Sequence, residues 1–161
     1  MGFKSFDEVY VPINDSFTVG EKSDEFESIK HLHPRFAFDF VSWKSSVFCF
    51  NSENLGVRDY AKLIKAFKDI SSQTYETMNR EHRFHFHEIQ WGEVEASKAD
   101  FIKCIYQNKK EYLSEEDDIT ASQFKVYEEA RIIGFIYQGI FYLVMFDRGH
   151  NAYKRKDRKK R

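Results

Sequence analysis

The segment that most constrains this fold lies near its C-terminus, where Gln123–Tyr127, Arg131–Gln138 and Ile140–Phe146 read as three consecutive strands. Gln138-Gly139 separates the last two, and a glycine there supplies the positive φ that a tight turn needs. Three short strands in succession make an antiparallel meander, whose apolar face must be covered by other elements. Asp147-Arg148-Gly149-His150, Tyr153 and the basic run Lys154–Arg161 follow at once. The meander therefore presents an acid, bases, an imidazole and a phenol at one edge.

The upstream pattern supplies the cover. Gly56–Ile70 predicts a helix, because Tyr60, Leu63, Ile64, Phe67 and Ile70 form one apolar stripe with Lys62, Lys65 and Lys68 off it. Asn54 or Ser52 is its expected cap, Ser71-Ser72 its break, and Thr74–Arg80 a further turn or two. Ser97 with Asp100 resembles a capping box and predicts a second helix running to about Leu113, burying Phe101, Cys104 or Ile105, and Tyr112. Glu115–Asp118 follows as an acidic loop. Alternation over Arg35–Trp43, with Phe36, Phe38 and Phe40 on one face, predicts a strand paired with Ser46–Asn51 in a hairpin. Arg83–Trp91 alternates again and reads as a strand. Val9–Ile13 reads as a short strand and Glu21–Glu27 as a solvated loop. The expected class is α+β, a mainly antiparallel sheet in the order ββ-α-β-α-βββ packed with two helices. Residues 1–153 form a single domain, with 1–30 an arm or wrapping segment, and 154–161 a basic tail.

Composition narrows the function classes. The chain has 161 residues, enough for a sizeable core, and its 17 Phe and 9 Tyr suit an aromatic-filled interior. Residues 151–161 carry seven cations against Asp157, so the first 150 residues hold −7 of a net charge of −1. An acidic body argues against one broad nucleic-acid footprint, while the tail suits phosphate contact. Cys49 and Cys104 both sit in apolar patterns and read as buried thiols in a reducing compartment. No stretch approaches a membrane span, and the N-terminus has no apolar signal core, so the expected location is cytoplasmic. There is no Gly-x-Gly-x-x-Gly, no Gly-Lys-Ser/Thr loop and no Gly-x-Ser-x-Gly elbow.

Two constellations hold groups with chemical potential. On a strand, Arg83, His85 and His87 share one side and Phe84 and Phe86 face the core. Imidazole titrates near neutrality, so clustered histidines suit acid–base work. His85 and His87 also have His-x-His metal spacing, which needs a third ligand from Glu88, Asp147 or His150. No stronger metal motif accompanies them, and no cofactor is expected. The second constellation is Arg131, Asp147, Arg148, His150 and Tyr153. Pairing of the last two strands through a short turn brings Arg131 close to Asp147, either as a structural pair or to orient the guanidinium toward a phosphate. Tyr153 suits base stacking. Trp91 reads as a core lid. Metal-free RNA cleavage needs a base, an acid and cations around the phosphorane, which His, Tyr, Arg and Lys supply.

The stretch Ala130–Tyr153 resembles the C-terminal hairpin of the RelE/YoeB/HigB-like toxin superfamily, in which an Arg opens a strand, an aliphatic strand follows a short turn, and a His and a Tyr come near the end. Arg131, His150 and Tyr153 match that order. The resemblance implies a metal-independent RNA-cleaving or RNA-binding protein of a toxin–antitoxin or defence system, with RNA as substrate and a cognate antitoxin-like partner. Arg131 would contact phosphate, His150 and Tyr153 would serve acid–base or stacking roles, and His85 or His87 would assist. The alternative expectation is a non-catalytic protein-interaction module with an acidic binding surface.

Overall fold

The computed structural model describes residues 22–43, 48, 50, 55–93, 98–108, 119–149 and 152. Among these lie helices α1 (Lys22–Ile29), α2 (Val57–Ser71), α3 (Tyr75–Arg80) and α4 (Lys98–Asn108). The strands are β1 (Arg35–Ala37), β2 (His87–Glu88), β3 (Ala121–Tyr127), β4 (Ala130–Tyr137) and β5 (Ile140–Asp147). They form one five-stranded sheet in the order β1-β5-β4-β3-β2. Only β1 runs parallel to its neighbour; the other pairs are antiparallel. The protein is thus α+β with a mostly antiparallel sheet, as its sequence pattern predicts, with four described helices where the pattern predicts two.

The meander is the frame. Gln138 and Gly139 both have positive φ, at 50° and 80°, as a two-residue turn matched to strand twist requires. A Cβ at Gly139 would also meet Leu32 Cδ1 at 2.7 Å, so the turn seats tightly on the α1–β1 loop. Tyr75 donates from its hydroxyl to the Gly139 carbonyl at 2.9 Å, and burial pushes that phenol's pKa up. Thr74 caps α3 by accepting from Thr77 N–H, and the Leu32 and Lys30 carbonyls accept from the N–H groups of Tyr75 and Glu76.

Each face of the sheet has its own core. On one, Leu63, Phe67 and Ile70 of α2, with Tyr75 and Met78 of α3, pack on Phe124, Ile132, Phe141, Leu143 and Phe146. On the other, Phe101 and Ile105, one turn apart on α4, pack with Ile133, Phe135, Val144 and Met145.

Four expectations need correction. Arg35–Trp43 is not a strand of a hairpin: only Arg35–Ala37 pairs, and it pairs in parallel with Ile140–Tyr142. The chain then turns, so Phe36 and Phe38 touch Phe67 on one face while Phe40 packs on Phe135 and Tyr142 on the other. Glu21–Glu27 overlaps α1 instead of forming a loop. Arg83–Trp91 is not one strand either. His82–Phe84 and Trp91–Glu93 are 3₁₀ turns, and His85 between the first turn and β2 is left-handed at φ 42°. A left-handed residue breaks the two-residue alternation, so Arg83, His85 and His87 do not share a strand face. Cys104 is half-buried where its pattern suggests full burial, and desolvation raises its thiol pKa. Val9–Ile13, Cys49, Glu115–Asp118 and the 154–161 tail lie outside the described residues.

Candidate functional site

Two bulges at one end of the sheet decide which polar side chains meet. The β4–β5 register runs from Gly134↔Leu143 to Ile133↔Met145, leaving Val144 as an extra residue. The β3–β4 register runs from Lys125↔Arg131 to Tyr127↔Ala130, leaving Val126 extra. An extra residue reverses the facing of everything beyond it. Val144 and Met145 consequently both join the core under α4. Phe146 returns to the α2 side, and Asp147 comes to the α4 side, opposite Arg131. Val126 and Tyr127 likewise both pack on the α2 side.

The first result is an interior polar row on the α4 side. Arg131 is 4 % exposed and Asp147 1 % exposed, in direct register. Asp147 Oδ2 accepts from the Ala152 backbone N–H at 2.7 Å, tying down the chain just past β5, and Arg131 donates to the Ala130 carbonyl at 3.2 Å. Gln123, 2 % exposed, continues the row toward β2, where it pairs with His87. His87 Nδ1 lies 2.8 Å from the Glu88 carbonyl and Nε2 lies 2.8 Å from Gln123 Nε2. A carbonyl can only accept, so Nδ1 carries the proton and Nε2 accepts from the amide. Both imidazole nitrogens are thereby occupied, while Gln123 Oε1 is buried without a hydrogen bond.

The second result is a rim network on the α2 side, around a carboxylate that the sequence reading passed over. Asp59 Oδ2 accepts from the Gly56 N–H at 2.9 Å, and its Oδ1 accepts from Tyr127 Oη at 3.1 Å and Arg148 Nε at 3.0 Å. Gly56, and neither Asn54 nor Ser52, is the helix cap, and Asp59 three residues on reaches back to it. That spacing was the available signal. The Gly56 amide first, then Tyr127 and Arg148, hold the Asp59 carboxyl below the usual range. Desolvation and then Asp59 push the Tyr127 phenol up, so it is a donor and not a base. Arg148 also lies 3.7 Å from Glu128, which Lys62 engages from α2.

Three of the predicted site residues are among the described ones. Arg131 is interior, His87 is bonded to Gln123, and His85 ends a 3₁₀ turn. His150 and Tyr153 lie outside the described residues. Among the described residues, no three His, Cys, Asp or Glu side chains cluster as a metal site would need. A small cleft lined by Asp69, Arg83, Phe84 and Lys125 holds a guanidinium already paired with Asp69 and Glu81. Also among these residues, no helix is long and apolar enough to cross a membrane.

Of the exposed large apolar side chains among the described residues, Leu32, Phe38 and Trp43 lie outside α2, and Val57, Tyr60 and Ile64 lie on it. Tyr60 and Ile64, predicted as core, are 41 % and 64 % exposed; the helix buries only the Leu63, Phe67, Ile70 side of its stripe. Val57, at 86 %, extends the exposed part, and Phe38, at 57 %, lies beside it through an edge contact with Phe67 at 6.2 Å.

Residues 49–161 match the family described as Uncharacterised protein UU032, and the chain belongs to that family. No curated protein and no solved structure matches it.

Proposed function

We propose that this protein is a non-catalytic interaction module that binds a partner protein through the outer side of α2. One observation carries the reading: Val57, Tyr60 and Ile64 stand at i, i+3 and i+7 on a helix that packs on the sheet through Leu63, Phe67 and Ile70, and all three are exposed, Tyr60 with its hydroxyl donating to the Phe50 carbonyl at 2.8 Å. Scattered apolar residues on a surface are ordinary, but a helical stripe adjoining Phe38 is the anchor pattern that a groove or a second helix recognises. The toxin-like reading asks Arg131 to meet a phosphate. In this fold Arg131 is buried at the ladder position opposite Asp147, so reaching a phosphate would mean withdrawing a buried cation from the sheet.

Site-specific photocrosslinking from position 64 in living cells tests the proposal, with exposed Lys103 on α4 as the control position. The expected result is a discrete protein adduct from position 64 and none from 103. In parallel, the purified chain is incubated with total RNA, which should stay intact. No adduct at 64, or RNA cleavage lost in a folded Arg131→Met variant, overturns the reading.

A further inference from the structure

We infer that the partner segment is an acidic amphipathic helix seated along the Val57–Tyr60–Ile64 stripe; this rests on the interaction-module reading and adds the partner's chemistry. The argument is the charge beside the stripe. On a helix of 3.6 residues per turn, Arg58, Lys65 and Lys68 line the side of the stripe away from the sheet. All three are exposed. The other charged residues of α2 are engaged: Asp59 with Arg148, Lys62 with Glu128 and Asp69 with Arg83. Arg58, Lys65 and Lys68 make no ion pair among the described residues. What remains is an apolar strip one helix wide flanked by three exposed cations that make no ion pair among the described residues, in a chain whose first 150 residues carry −7.

That pattern selects among occupants. A second copy packed through the same face would bring two sets of these cations together, which is repulsive. An anionic bilayer would meet a whole face of an acidic body through a strip only one helix wide. A helix with leucines at i, i+3 and i+7 and glutamates on one flank satisfies both halves at once: its leucines cover Val57, Tyr60, Ile64 and Phe38, and its carboxylates reach Arg58, Lys65 and Lys68.

The test uses the full chain and a fluorescent synthetic peptide of that design, read by anisotropy. Two controls are a shuffled peptide of the same composition and a peptide with Lys in place of Glu. The acidic amphipathic peptide should bind, and more weakly as salt rises. Ile64→Glu and the double change Lys65→Glu/Lys68→Glu should each weaken binding about tenfold or more. The double variant should gain affinity for the Lys peptide. All these positions are exposed, so circular dichroism should report an unchanged fold. Equal binding of the shuffled peptide, or indifference to Lys65→Glu/Lys68→Glu, overturns the inference. So does Ile64-dependent capture by phosphatidylserine vesicles, or a concentration-dependent dimer that Ile64→Glu abolishes. If the position-64 protein crosslink persists while the peptide fails, only the partner's chemistry is lost; if both fail, the interaction reading goes too.

Discussion

Asp147 and Arg148 are neighbours in sequence and lead opposite lives. Asp147 turns to the α4 side, is 1 % exposed and faces Arg131 across the ladder. Arg148 turns to the α2 side, keeps a 40 % exposed side chain and bonds Asp59. Each is thus set against an opposite charge, one in the interior and one at the rim. The contrast teaches that the same residue types carry different energies by placement. An interior pair is strongly costly to break, because one charge stays behind in a poorly solvated site. A rim pair in water is worth little, because solvent already screens both charges.

Asp147→Ala should have the largest effect. It removes the carboxylate facing Arg131 and the acceptor of the Ala152 N–H. The expected loss is about 3–5 kcal/mol in urea unfolding. Arg131→Met with Asp147→Leu should recover much of it, since a well-packed apolar pair removes both charges together. A loss below about 1 kcal/mol for Asp147→Ala would make the two pairings equivalent and break the contrast.

The encounter of Arg131 with Asp147 was legible in the sequence, because Gln138-Gly139 sets a two-residue turn and that turn sets the register. The local elements were legible for the same reason: α2, the Thr74 start of α3 and the Phe101–Ile105 side of α4 all follow from short-range spacing. Two kinds of feature were not. The parallel pairing of Arg35–Ala37 with β5 joins segments about a hundred residues apart, and no local period encodes it. The Val126 and Val144 bulges carry no composition mark, yet they bring Tyr127 and Arg148 to Asp59. The alternation in Arg83–Trp91 misleads because His85 is left-handed, and the α2 stripe misleads because spacing does not say how much of an apolar side the sheet covers.

Asp59→Ala should come next, at about 1–2 kcal/mol, since it removes the acceptor for the Gly56 amide, Tyr127 and Arg148 together. The same site predicts a pH dependence. Its folded-state pKa is depressed, so its contribution is fully present above the ordinary aspartate value of about 4 and is lost as pH falls through the lower folded value. Stability followed by urea titration from neutral to strongly acidic pH should therefore fall less steeply below about pH 4 in Asp59→Asn than in the wild type. Identical slopes would mean that the Gly56 amide and Arg148 do not hold the carboxylate ionised.

Arg148→Ala should have the smallest effect. The variant loses one bond to Asp59 and the longer approach to Glu128, but Asp59 keeps Gly56 and Tyr127 as donors. With a 40 % exposed side chain, the guanidinium regains water when the pair opens. The expected loss is about 0.2–1 kcal/mol at low salt, shrinking toward zero near 1 M salt, where screening shortens to about 3 Å. A double-mutant cycle with Asp59→Asn isolates the pair from the helix-capping bond. A salt-insensitive coupling of the size expected for Asp147→Ala would show that the rim behaves as interior. Arg148 would then be a structural clamp between sheet and α2, and the distinction between the two sides of β5 would rest on packing alone.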